Sequence, residues 1–188
     1  MAKAVLSKRV IFILCIPVIL QSVSGCGSVR HQTVMEKGYI PRPNTGVEVG
    51  PVVNDTEWEI DFDYQSLFRE ALVKQLKKKR LLWTEDKACK LELTTKIVRY
   101  EKGNAFHRWL LPTMGKTVLE IEGEYKEAGQ TVATCRALRT VEFGGGYTIG
   151  AWKSVFKDVA QDMVKDLRAR ISKRQQASAS IKRNRIGS

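Results

Sequence analysis

Three stretches of this chain alternate apolar and polar residues with a period of two. That pattern calls for strands that bury one face and leave the other in water. Leu91, Leu93, Thr95 and Ile97 alternate with Lys90, Glu92, Thr94 and Lys96. Leu119, Ile121, Gly123 and Tyr125 alternate with Glu120, Glu122, Glu124 and Lys126, giving the second strand a strongly charged outer face. Ala128-Gly129-Gln130 is a hairpin turn, and the return strand sets Ala133, Cys135, Ala137, Val141 and Phe143 on one face before Gly144-Gly145-Gly146 ends it.

Two helical patterns flank these strands. Asp63 is placed to cap a helix carrying Tyr64, Leu67, Phe68, Ala71, Leu72 and Leu76 at helical spacing. Lys77, Lys78, Lys79 and Arg80 close it, where positive charge suits the end of the helix dipole. A second amphipathic helix runs from about 149 to 171, with Trp152, Phe156, Val159, Met163, Leu167 and Ile171 on one stripe. Lys153, Lys157, Asp158, Gln161, Asp162 and Lys165 fall elsewhere. Val47 to Val53 is β-branched with Pro51 inside, which suits a short edge strand. The expected order is β-α-β-β-β-α. This is an α+β fold in which a mostly antiparallel sheet of about four strands carries two helices on one face.

The N-terminus has a different logic. Lys3, Lys8 and Arg9 precede an uninterrupted apolar run, Val10 to Leu20, too short to span a bilayer as a mature helix. Val23-Ser24-Gly25-Cys26 follows, and these four residues resemble the lipobox of bacterial lipoproteins. The resemblance implies that the Cys26 thiol receives diacylglycerol, that residues 1–25 are removed as a signal peptide, and that the new amine is acylated. Ordinary signal cleavage near Ser24-Gly25, or an uncleaved anchor, is the alternative. Gly27 and Ser28 follow, with no Asp after the cysteine, which by the same resemblance implies the outer membrane, facing the periplasm. Residues 27–46, polar with Pro41, Pro43, Asn44 and Gly46, are expected to continue from Cys26 as a flexible tether (26–46) holding the domain clear of the headgroups. A single α+β domain then occupies 47–171.

Charge separates the fold from its tail. The chain carries +12, which falls to +9 without the three signal cations. Seven of those charges are Arg168, Arg170, Lys173, Arg174, Lys182, Arg183 and Arg185, with no acid after Asp166. Residues 172–188 are therefore expected to be a basic, disordered tail, either a solvated end or a handle for an anionic envelope polymer or an acidic envelope protein. An exported protein has little access to nucleic acid, which is discounted as a partner. With Cys26 lipidated, Cys89 and Cys135 remain; both face the apolar side of strand-like segments, where packing as free thiols is favoured over a bridge.

The stretch from Arg99 to Gly115 holds Phe106, Trp109, Leu110 and Leu111 beside His107 and Arg108. Gly103-Asn104, Arg108-Trp109 and Gly115, with the later Gly144 to Gly146 and Gly150-Ala151-Trp152, resemble a bacterial lipoprotein family known only as a domain of unknown function. The resemblance spans roughly 47–171 and implies the fold order and the envelope address, but no activity. These aromatics either fold back over the sheet end or form an exposed aromatic–Arg patch of the kind that dominates interfaces. His107, Arg108 and Trp109 are the candidate partner-contact residues.

Catalytic constellations are missing from the sequence. There are two histidines, and no His-x-x-x-His, Cys-x-x-Cys or Gly-x-Ser-x-Gly occurs. The glycine-rich turn fails both phosphate-loop patterns. Asp55, Glu57, Glu59, Asp61 and Asp63 lack the glycine and terminal glutamate of a calcium loop, and read as a solvated approach to a helix. No catalytic residue, metal or cofactor is expected. The favoured function is a non-catalytic binding or accessory protein of the envelope, with a purely structural envelope component as the alternative and a metal-dependent or hydrolytic enzyme least favoured.

Overall fold

The computed structural model describes residues 29–104, 106–107, 115–142 and 150–186. The signal peptide, Cys26, Arg108, Trp109, Phe143 and the Gly144–Gly146 run lie outside them. The elements are β1 (Val29–Met35), β2 (Thr45–Asn54), α1 (Tyr64–Lys78), β3 (Cys89–Glu101), β4 (Thr117–Glu127), β5 (Gln130–Val141) and α2 (Ala151–Ile186). The sheet order is β1-β5-β4-β3-β2. Every pairing is antiparallel except β2 with β3, which α1 joins as the crossover a parallel pair requires. α1 lies against β2, α2 against β1, β4 and β5, and the helices against each other. The fold is α+β, as expected, with five strands rather than about four.

The fifth strand comes from the segment read as a tether. Val29–Met35 pairs along β5 from Val29↔Arg139 to Met35↔Ala133. It is an edge strand whose only buried side chains are Thr33 and Met35, so it shows no alternation to read. The supposed disordered tail is likewise helix, since α2 continues to Ile186. Alanine and straight-chain Lys, Arg and Gln propagate a helix once the packed turns before them have nucleated it, and no glycine intervenes before Gly187.

Several local expectations hold. Asp63 caps α1, its carboxylate accepting from the Ser66 N–H at 2.9 Å. Arg80 takes a left-handed conformation (φ 57°) just past the helix, and Leu81 N–H returns to the Leu76 carbonyl at 2.8 Å. This closing turn is what the basic run serves. Pro51 sits on the edge strand β2 beside a register shift between Val49 and Val52. Ala128 and Gly129 turn the β4–β5 hairpin with positive φ at both positions.

α2 beds onto the sheet because the sheet is shallow beneath it. Ala133, Cys135 and Ala137 line β5, and a Cβ on Gly123 would meet Cys135 Sγ at 2.8 Å and Met163 Cε at 3.4 Å. Phe156, Val159, Met163, Leu167 and Ile171 are buried along it. Asp158 and Asp162 depart from their expected place among the polar residues. Arg139 occupies the inner face of β5 and binds Asp162 at 2.8 Å and Asp158 at 3.7 Å, so these carboxylates turn toward the sheet.

Cys89 and Cys135 are buried free thiols. Burial pushes Cys89 up to about 11 and Cys135 up to about 12, leaving both unreactive at neutral pH. Cys89 donates to Glu127 at 3.0 Å, and Arg42 reaches the same carboxylate at 3.0 Å. The thiol's hydrogen bond and the nearby guanidinium hold Glu127 below the usual carboxylate range. A depressed carboxylate stabilises above its unfolded pKa, about 4.3, and loses that contribution as pH falls through the folded value. Glu127→Gln should therefore lower stability at pH 7 by up to about 1 kcal/mol. The gap to wild type should close in thermal melts below about pH 4.

Candidate functional site

One pole of the domain gathers the end of β2, the approach to α1, the β3–β4 connection and the start of α2. The β3–β4 connection is fastened at its base. Thr117 Oγ1 donates to the Lys102 carbonyl at 2.8 Å, and Asn104 N–H donates to the Gly115 carbonyl at 2.9 Å. Gly103 and Gly115 both hold positive φ there, at 68° and 69°. A Cβ on Gly103 would lie 2.5 Å from the Lys116 carbonyl oxygen. The Gly103-Asn104 and Gly115 positions quoted from the sequence thus form a closed neck.

Asn104 then starts the turn above the neck. Its Oδ1 accepts from the N–H groups of Phe106 at 2.9 Å and His107 at 3.2 Å. The Phe106 and His107 rings are neighbours at 6.3 Å, and Phe106 is 61% exposed. Phe106 therefore does not fold back into the sheet end. His107 is exposed beside it, while Arg108 and Trp109 lie outside the described residues.

Beneath the neck is an aromatic cluster. Phe62 meets Trp152 at 4.8 Å, Phe156 at 5.7 Å and Tyr100 at 5.8 Å, and Phe156 meets Tyr100 at 5.6 Å and Phe68 at 6.0 Å. Trp152 closes the cluster toward solvent with two ammonium groups over its ring, Lys102 at 5.2 Å and Lys153 at 4.8 Å. Lys102 also binds Asp61 at 2.8 Å, and that hydrogen bond keeps the Asp61 carboxyl low. Burial pushes the Tyr100 phenol up, and its hydroxyl has no hydrogen-bond partner among the described residues.

The Lys102–Trp152–Lys153 arrangement is not legible in the sequence, where Trp152 falls on the core stripe of α2. A lysine one residue after Trp152, at the start of a helix, is the available signal. Nor does the sequence show that the acidic approach is partly consumed in structure: Asp61 by Lys102, Asp63 by the cap, and Asp55 by Lys96 at 3.9 Å. Trp58 in that segment is 74% exposed. Among the described residues, no three His, Cys, Asp or Glu side chains converge as a metal site would require, and no helix is long and apolar enough to cross a membrane.

Residues 54–145 match the family described as a Domain of unknown function (DUF4410). The match falls inside the stretch over which the sequence resembles such a domain. Among solved structures, the chain is similar to the PelC dodecamer from Paraburkholderia phytofirmans at 16% identity and TM-score 0.49, over 76% of this chain and 98% of that one. A variant of the same dodecamer gives 14% identity and TM-score 0.47 over the same shares. A protein provisionally described as a lipoprotein, from Caulobacter crescentus CB15, gives 12% identity and TM-score 0.32, over 64% of this chain and 88% of that one. No curated protein matches the chain.

Proposed function

We propose that this chain is a lipoprotein of the bacterial outer membrane, anchored through Cys26, facing the periplasm, and working by contact rather than catalysis. The observation that carries the contact reading is the fastened β3–β4 turn, which presents Phe106 and His107 outward on a neck closed by Gly103, Asn104 and Gly115. A connection meant only to cover the sheet end would bring its phenyl ring down onto the aromatic cluster. The side chains at this pole are contact chemistry: a phenyl, an imidazole and an indole with two ammonium groups over its ring. The lipobox-like Val23-Ser24-Gly25-Cys26 supports the anchor. In this reading His107, Arg108 and Trp109 meet the partner, and neither a cofactor nor nucleic acid takes part.

Metabolic labelling with an alkyne-palmitate analogue tests the anchor, with a photo-reactive residue at His107 testing the contact in the same cells. Label is expected in wild type and absent from Cys26→Ser, in the outer-membrane fraction, with an adduct formed at position 107. Label in neither protein would refute the anchor. Label without any adduct would refute the contact role and leave a structural envelope component.

A further inference from the structure

Only Gly27 and Ser28 separate Cys26 from Val29, the first residue of β1. Val29 pairs with Arg139, Arg139 with Leu119, and Leu119 with Tyr100, so the chain enters level with the strand ends at the β3–β4 pole. The neck at Lys102 and Thr117 stands two residues further along, about 7 Å. Three residue steps from Val29 back to Cys26 reach at most about 10 Å. With β1 taken into the sheet, no slack remains for the domain to stand clear of whatever holds Cys26.

We propose that the pole bearing Lys102, Phe106, His107 and Trp152 docks directly on the phospholipid headgroup surface in which Cys26 is anchored, with the basic end of α2 pointing away from it. The proposal rests on lipidation of Cys26 and gives the contact site its partner, the membrane itself. Aromatic rings and lysine stems suit the headgroup zone, where one end of a side chain is apolar and the other wet. The acidic segment with Trp58 sits at the β2 edge, the far side of the sheet from the entry of the chain at β1. Anionic lipid would repel that edge, so the fit is to a surface dominated by zwitterionic headgroups. α2 leaves this pole and runs antiparallel to β5. Among the described residues its last bonds to the domain are Gln175 Nε2 to the Pro41 and Arg42 carbonyls, at 3.3 and 3.0 Å. Eight further residues carry Arg183 about 12 Å onward, and the 36 residues of α2 span about 54 Å from the pole, several Debye lengths from the anchoring lipid. The basic end is thus offered to the periplasmic side.

The test uses the full acylated chain in vesicles of three parts phosphatidylethanolamine to one part phosphatidylglycerol, with a nitroxide on His107→Cys or on Ile181→Cys. Collision with an aqueous nickel complex reports exposure, and intact-mass analysis reports the acyl groups. Docking predicts that the label at 107 is several-fold less accessible to nickel than the label at 181, in vesicles only. Adding Phe106→Ala should restore much of that access. Equal access at both positions on an acylated protein overturns the docking and leaves the anchor standing. Absence of acyl groups refutes the anchor reading, and the docking falls with it. Shielding at 107 that persists without vesicles assigns it to the protein's own packing and overturns the proposal. So does shielding that appears only when envelope proteins are added, which assigns the pole to a protein partner.

Discussion

Phe156→Ala should cost the domain about 3–5 kcal/mol, the upper range for truncating a buried aromatic. Phe156 is fully buried, and its ring meets Phe62 from the approach to α1, Phe68 from α1 and Tyr100 from β3. These rings come from separate elements, each fixed by other contacts. Asp63 caps α1 immediately after Phe62, and Tyr100 is held in register opposite Leu119. The void therefore cannot close by one element relaxing, which keeps the loss near the high end. A domain stable by about 5–15 kcal/mol would lose a large fraction of that, and its melting temperature should fall by roughly 10 °C. Phe156→Leu, which refills part of the volume, should recover more than half of the loss. Melting followed by circular dichroism checks both; a fall of only a degree or two in Phe156→Ala would mean that the cluster does not join the helices to the sheet.

The same cluster shows what the sequence made legible. Phe156 lies on the apolar stripe of α2, and β3 and β4 alternate cleanly because one sheet face packs against helices while the other is wet. That contrast is a direct print of burial on sequence. β1 leaves no such print, since an edge strand is held by backbone pairing and turns only Thr33 and Met35 inward. Under the lipidation proposed for Cys26 the difference matters: a free tether would hold the domain off the membrane, whereas a strand starting at Val29 would bring it down. Arg139 was hidden for another reason. A charged residue on an inward position reads as a break in the pattern until the helix above supplies Asp158 and Asp162. The end of α2 differs from expectation because low apolar content signals little apolar packing, not the absence of helix, and Gln175 still fastens it to the Pro41 and Arg42 carbonyls. At the site, Gly103-Asn104 and Gly115 read only as motif positions, and that they close one neck follows only from the register of β3 with β4.

Gly103→Ala should open that neck while leaving most of the fold in place. An alanine must hold φ near 68°, a conformation that costs a residue with a Cβ about 1–2 kcal/mol. The methyl would also lie 2.5 Å from the Lys116 carbonyl oxygen and 2.6 Å from that of Gly115, both backbone atoms with no rotamer to yield. The neck has to part to admit it. The Asn104 N–H to Gly115 bond and the Thr117 hydroxyl to Lys102 bond run across the same gap and should be lost, at about 0.5–1.5 kcal/mol each. The loss is local, because Lys102 and Thr117 stand at the outer ends of β3 and β4 while the core lies further down the sheet. Amide exchange at Asn104, Phe106 and His107 should therefore accelerate strongly while amides in Leu91–Ile97 and Leu119–Tyr125 stay protected. Adduct formation at position 107 and shielding of a label there should fall together, since Asn104 no longer aims the turn. Gly129→Ala is the matched control: it also changes a glycine with positive φ, but a Cβ there meets nothing within 4 Å. Unchanged exchange at Asn104 in Gly103→Ala would show that the neck tolerates a side chain and does not set the geometry of the turn.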